Sequence, residues 1–516
     1  MFILLITAII IGVISYYVWL WTYWKRRGVP GPLGQLFSGV MVDMLDDHNP
    51  PLLKIRDWTK KYGRYYGITE GTQQTLVISD PALINEVFIK QYDNFFGRKL
   101  NPVQGDPETD VRADMFFAQG FRWKRLRAIS APTFTSNNLR KMRDTVEECA
   151  LECVRLIERD GGNEKDIDIL LYFQEYTFDV IGRIAMGQHE SRQFQNPLVD
   201  DVKAIFGPNP IGLFVAAGVF PLLAKLFIFL IWNFPIFGAG PAINLFKVIR
   251  EAVTARIKQR EDDKEKGMEQ GEPADFIDLF LDAKADVKLI QEANDDFSKT
   301  NSYTNRQLTV DEIVAQCFLF LVAGFDTTAL SLSYSSYLLA THPNIMKKVQ
   351  EEIDRECPDP SLTYDQLSKL KYMDCVIKET LRMYPLGAFA SARKCLRPTK
   401  LGNIEIEVGT NVQADPWTLH YDKKIWGEDA HEFRPERWES GGCEEQISKG
   451  GYLPFGLGPR QCIGMRLAYM EEKLLLCQIL RKYTFKTTPK TNIPLKLMGR
   501  ATTHPSDVFL KLSPRY

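Results

Sequence analysis

No charged side chain occurs between Met1 and Trp24, and the apolar run from Phe2 to Trp21 is long enough, at about 1.5 Å per residue, to cross a hydrocarbon core of roughly 30 Å. The run ends in Tyr-Tyr-Val-Trp-Leu-Trp-Thr-Tyr-Trp rather than small residues and has no positive n-region, which predicts a retained anchor instead of a cleaved signal peptide. Lys25, Arg26 and Arg27 follow, so the positive-inside rule keeps that flank and everything after it in the cytosol. Val29-Pro-Gly-Pro32 then breaks the helix. From Trp58 to Leu100 a helical run gives way to β-rich pieces such as Thr75-Leu-Val-Ile78, and Asp80-Pro81 predicts a helix start. The segment from Asn101 to Gln119, rich in Pro, Gly and Asp, predicts a loop. Phe178 to Gly187 has the spacing of a buried helix. Thr309-Val-Asp-Glu opens a long helix with polar caps whose run from Phe318 through Val322 to Ala340 is too apolar for a surface position, so it is expected to cross the core. Thr399 to Ile406 is strand-like, and a last long amphipathic run starts at Met465.

A second apolar stretch, Ile211 to Gly238, carries Lys225 as its only charge and scores as a span by hydropathy. Pro221 and Pro235 interrupt it, and a true second span would move the cysteine loop described below across the membrane from the basic flank. The prediction is therefore a broken apolar segment that does not form a second span. Arg256 to Gly271 is dense in charge and Glu269 to Asn305 is polar and irregular, which reads as solvated helix ends and linker. At 516 residues, 45% hydrophobic and 25% charged, the chain can bury one large core or two domains. A net charge of -1 without a basic arm excludes a nucleic-acid binder. Nine irregularly spaced cysteines without a C-x-x-C pair suit a reducing compartment, with Cys149 and Cys153 sharing a helix face as core packing. No Arg- and Ser-rich transit segment and no G-x-G-x-x-G dinucleotide fingerprint occur.

The candidate chemistry centres on Phe455-Gly-Leu-Gly-Pro-Arg-Gln-Cys462-Ile-Gly464. Gly456, Gly458 and Gly464 can take φ > 0 and admit a close neighbour, Pro459 stiffens the turn, and Cys462 sits at a helix N-terminus that favours a thiolate, a ligand for soft metals. Four further patterns accompany it. Trp123 and Arg127 lie four apart on one helix face, and Glu379 and Arg382 three apart. Ala323-Gly324-Phe325-Asp326-Thr327-Thr328 puts an acid and a hydroxyl midway along the long helix, where they can distort it and hold a water. Phe433-Arg-Pro435-Glu436-Arg437-Trp438 follows. Each has a plainer reading alone: a buried cysteine, a basic surface helix, a solvated ion pair, a kinked core helix. Their joint occurrence in one order favours function.

In that order they resemble the cytochrome P450 family, over nearly the whole chain. The resemblance implies a mostly α fold with a small β region: an N-terminal transmembrane anchor over residues 1–24, a basic and proline-rich hinge over 25–50 and a haem-thiolate catalytic domain over 51–516. It implies haem b (iron protoporphyrin IX) with Cys462 as the axial iron ligand, in a loop bounded by Phe455 and Gly464. Trp123, Arg127, Arg393 and Arg460 are then propionate ligands, and Glu379, Arg382 and Arg437 a structural cluster. Gly324 is expected to clear space beside the ligand, Thr327 to hydrogen-bond on the oxygen side and Asp326 to relay protons.

The implied reaction inserts one oxygen atom of O2 into a lipophilic small molecule of steroid, fatty-acid or xenobiotic class. Electrons come from NADPH through a separate cytochrome P450 reductase, with cytochrome b5 as a further candidate donor. The implied location is the endoplasmic reticulum membrane, facing the cytosol. Arg122, Lys124 and Arg125 are a candidate docking patch for an acidic donor, against the commoner solvated face. A haem-thiolate isomerase or peroxide-driven enzyme is disfavoured by Asp326-Thr327; a non-catalytic haem sensor or carrier and a two-span receptor are the readings from other classes. One departure is Ala430, where relatives often carry proline. Phe117, Phe318, Phe320 and Phe325 suggest an apolar pocket without separating the substrate classes.

Overall fold

The computed structural model describes residues 1–161, 165–207, 211–234, 239–268, 273, 275–283, 307–387 and 390–516. Helix α1 (Phe2–Trp21) forms from the unbroken apolar run and leaves most of its side chains exposed, Leu4 at 74% and Ile11 at 59%. A helix meant for lipid presents its apolar face this way. Its last turns are seated on the main body. Tyr17 and Leu20 pack with Val215 and Val219, the Tyr17 hydroxyl donates to the Val219 carbonyl, and a Cβ on Gly67 would come within 2.1 Å of the Trp24 indole.

Strands β1 (Tyr65–Glu70) and β2 (Gln73–Ile78) form a hairpin, and β3 (Ala392–Lys394) and β4 (Asn411–Ala414) complete a sheet in the order β1-β2-β4-β3, with β2 parallel to β4. Asp80 caps the helix that follows β2, its carboxylate accepting from the Ala82 amide at 2.9 Å. The remaining mass is helical: α2 (Gly120–Ser130), α3 (Ser136–Gly161), α4 (Ile169–Met186), α5 (Ile211–Val219), α6 (Ala224–Asn233), α7 (Gly240–Glu265), α8 (Val310–Thr341), α9 (Lys371–Met383) and α10 (Met465–Lys482).

Helix α8 is the axis of the core. Thr309 and Glu312 close a reciprocal capping box at its start, and its 32 residues, about 48 Å, run along α4 and touch α7, α9 and α10. Length and composition would let α8 cross a membrane, but 67% of its most apolar window is buried inside the protein. Helices α5 and α6 are bent by 113° around Pro221, and Leu222 (96%), Leu226 (51%) and Phe229 (56%) are exposed there. They do not form one straight span. Pro235 and the end of that stretch lie outside the described residues, as does most of Glu269 to Asn305.

Two charge readings are corrected. Arg122 and Arg125 are buried in α2, Arg122 donating to the Asp110 carbonyl at 2.7 Å and Arg125 pairing with Glu312 at 2.7 Å, so only Lys124 of the three faces outward. The loop before α2 and the start of α8 cover them, and the basic docking patch does not exist as read. Arg256 and Arg260 are not solvated helix ends either: they grip Asp275, Asp278 and Asp282 at 2.6–2.8 Å.

Candidate active site

The loop before α10 is shaped by two glycines. Gly456 and Gly458 adopt φ of +74° and +71°, and a Cβ on Gly458 would lie 2.0 Å from the Phe88 carbonyl oxygen, so no other residue fits there. Gly464 differs from expectation. It caps α10 at φ -83°, and a Cβ would meet Phe134 and the Cys462 sulfur only at 3.9 and 4.0 Å. The Cys462 amide donates to the Phe455 carbonyl at 2.8 Å and closes the loop. Cys462 is the exposed one of nine free cysteines, yet it lies deep among protein atoms, because it faces an internal cleft rather than the outer surface. Burial pushes its thiol up; the amides of Gly464 and Met465 and the guanidiniums of Arg127 and Arg98 act the other way.

Around this cleft four arginines converge without a carboxylate ion pair. Arg98, Arg393 and Arg460 are buried and Arg127 half-buried, and among the described residues none of the four has a carboxylate within 4 Å. Burial depresses all four, and a neighbouring guanidinium adds to it at Arg393, beside Arg460, which falls to about 9, and at Arg460, beside Arg127, which falls to about 10. Arg98 lies well below the usual guanidinium range for the same two reasons. Arg460 spends its terminal nitrogens on the carbonyls of Phe96, Phe116 and Ala118 and stacks on Trp123 at 4.5 Å; Arg393 and Arg98 share the Ala390 carbonyl. The Nε atoms of Arg98, Arg393 and Arg460 are buried with no partner. Asp114, an acid that feels Arg98 and Arg122, is itself held towards neutrality by burial at about 7. Buried cations with orphaned donors fit a dianionic ligand edge, which two haem propionates supply. Arg98 carried no motif in the sequence; only the fold brings it here.

On the facing side, α8 turns Ala323 and Thr327 towards the cleft: Ala323 is exposed and Thr327 half-exposed in the middle of a buried helix, and the Thr327 hydroxyl donates back to the Ala323 carbonyl at 2.8 Å. Ala323, not Gly324, is thus the small residue on the cleft side. A Cβ on Gly324 would meet Ile181 of α4 at 3.2 Å, so that glycine serves helix packing. Asp326 is buried on another face. Its Oδ2 accepts from the Thr502 hydroxyl at 2.6 Å and Oδ1 from Gln174 Nε2 at 3.5 Å, and burial raises its pKa. Among the described residues no hydrogen bond joins Asp326 to Thr327.

The helix α9 pair forms the expected cluster with more members than the sequence suggested. Glu379 accepts from Arg382 Nε at 2.8 Å and Nη2 at 2.9 Å, from Arg437 Nε at 2.8 Å, from Trp438 Nε1 at 2.9 Å and from the Arg434 amide at 3.1 Å. Arg382 also donates to the carbonyls of His420 at 2.6 Å and Ala430 at 2.8 Å; the departure at 430 touches the cluster only through its backbone. His420 donates from Nδ1 to the Arg382 carbonyl and accepts at Nε2 from the Leu453 amide, and burial lowers its pKa to about 3, so it is neutral. The cluster ties α9 to the chain leading into the cysteine loop.

A thiol at the start of a helix facing a polar step on a core helix, beside buried guanidiniums without a carboxylate ion pair, fits a haem-thiolate enzyme site, and the chain belongs to the cytochrome P450 family, whose model matches residues 29–512. Three Caenorhabditis elegans relatives named "Putative cytochrome P450" are similar over their whole length. CYP13A10 is 60% identical over 513 residues (99% of each chain), CYP13A1 59% over 512 (99% of this chain, 98% of the relative) and CYP13A6 54% over 518 (100% of each). As a family member the protein is a haem-binding monooxygenase that works with O2, a redox partner and a lipophilic substrate.

Proposed function

We propose that this enzyme inserts one oxygen atom of O2 into a lipophilic small molecule while the other leaves as water, consuming two protons from solvent and two electrons that come from NADPH through a separate reductase. The steroid, fatty-acid and xenobiotic classes are the candidate substrates, and cytochrome b5 is a second candidate donor. The observation that carries this reading is the convergence of the cleft-facing Cys462 thiol with Arg98, Arg127, Arg393 and Arg460, four cations without a carboxylate partner.

A bound haem would supply the redox centre at which O2 is activated, and the Cys462 sulfur would hold its iron. Trp123 and the arginines hold and orient its carboxylates, and the loop from Phe455 to Gly464 seats the sulfur. Glu379, Arg382 and Arg437 keep that loop's approach rigid. Ala323 would leave room for a ligand on the cleft side, Thr327 offers a hydroxyl to the cleft, and Asp326, one position earlier on the same helix, is a carboxyl that can take up and pass on a proton. The apolar face of α5 and α6, with the seated end of α1, brings lipid-soluble molecules to the cleft, and the chain is placed in the endoplasmic reticulum membrane by residues 1–24, with residues 51–516 in the cytosol.

The test is turnover of a panel drawn from the three classes with reductase, NADPH and 18O2. One 18O atom in the product and one in water is expected. Products formed without O2, or only from added peroxide, would favour the isomerase or peroxide-driven alternatives and contradict the proposal.

A further inference from the structure

Helix α8 is fastened to the C-terminal turn at two points. The Tyr334 hydroxyl donates to the Thr503 carbonyl at 2.9 Å, and eight residues earlier Asp326 accepts from the Thr502 hydroxyl at 2.6 Å. The turn is itself fixed, with the Thr503 amide on the Leu386 carbonyl at 3.1 Å and Gly387 paired with Thr502. Asp326 has no cation within ion-pair distance among the described residues, and its other hydrogen bond, from Gln174 of α4, is long at 3.5 Å. A buried carboxyl with one good donor takes both its direction and its proton affinity from that donor.

We propose that Thr502 is a positioning residue for proton delivery: its hydroxyl holds Asp326 on the turn side of α8 and sets how readily that carboxyl gives up its proton. The inference rests on the monooxygenase reading, in which Asp326 serves the proton-consuming reduction of O2. Without the hydroxyl, only His504 and the long Gln174 contact still oppose burial, the carboxyl holds its proton more tightly, and reduced oxygen leaves as peroxide before it is protonated to water. The titratable groups facing Asp326 are His504 on the turn and Tyr334 on α8; Thr502 and Gln174 are its hydrogen-bond donors.

The experiment is a pH titration of the Asp326 carboxyl band by infrared difference spectroscopy on the full-length haem protein. The band is assigned by its loss in Asp326→Asn, and the titration is run on wild type, Thr502→Val, Thr502→Ala and Thr502→Ser. The titration midpoint is expected to move to higher pH in the Val and Ala variants and to return towards wild type in Ser. In reductase-supported turnover the share of consumed O2 released as peroxide should rise several-fold in Val and Ala and fall back in Ser. An unchanged midpoint in whichever of Val or Ala folds, or a Ser variant that behaves like Val, overturns the proposal. The titration needs no turnover, so a protein that inserts no oxygen at all would defeat the monooxygenase reading while leaving the Thr502 result legible.

Discussion

Replacing Glu379 by Gln tests how much of the fold hangs on one carboxylate. The side chain is fully buried and so is that of Arg382, while Arg437 is 3% exposed. Glutamine keeps the shape but removes the charge that two guanidiniums share, and turns an NH2 towards donors where an oxygen had accepted. Leaving a buried charge without its partner costs about 3–5 kcal/mol. For 516 residues, unfolding entropies near 2 cal/mol/K per residue sum to about 1 kcal/mol per kelvin, so the unfolding temperature should fall by about 3–5 °C. Because the cluster ties α9 to the approach of the cysteine loop, the haem-to-protein ratio after purification should fall with it. The comparison variant is Arg434→Ala, whose half-exposed side chain pairs with Asp429; it should cost less than about 1 kcal/mol. Calorimetry or a thermal melt followed at the Soret band reads both. A Glu379→Gln protein that melts within about 1 °C of wild type with full haem content would refute the reasoning.

Arg98→Ala and Arg393→Ala should each lower haem retention during gel filtration to a similar degree, since both bring an orphaned buried Nε to the same cluster; full retention in Arg98→Ala would remove it from the propionate site. His420 titrates near 3 in the fold against about 6.5 unfolded, so the unfolded chain takes up the extra proton first as pH falls. Its contribution is complete above pH 6.5 and is lost as pH drops towards 3, at about 1.4 kcal/mol per pH unit; melts of His420→Gln should show a shallower slope over that window. A fluorophore on Leu222→Cys in the full-length protein in vesicles should report an apolar environment, and one on Lys264→Cys should report water; equal signals would contradict membrane contact at the α5–α6 bend.

What the sequence revealed is what local pattern can encode. The anchor, the capped start of α8, the turn at Gly456 and Gly458 and the spacing of Glu379 and Arg382 all depend on neighbours a few residues away. The rest depends on partners brought together by folding. Arg125 looks like a surface cation within its helix, and only Glu312, 187 residues later, makes it a buried one. Arg98 lies in no motif and becomes part of the site through Arg393, Arg460 and the Ala390 carbonyl. Gly324 was legible as a required glycine but not its reason, because Ile181 sits on another helix. The partner of Asp326 is 176 residues away, beyond any periodicity.

The central claim is that Cys462 is the thiolate ligand of a haem held by an arginine cluster without a carboxylate ion pair. The most direct test is the absorption spectrum of the purified, dithionite-reduced protein with carbon monoxide. A Soret band red-shifted far beyond that of a histidine-ligated haem, and lost in Cys462→Ala, is the predicted result. No haem, or a histidine-like spectrum in the intact protein, would contradict it.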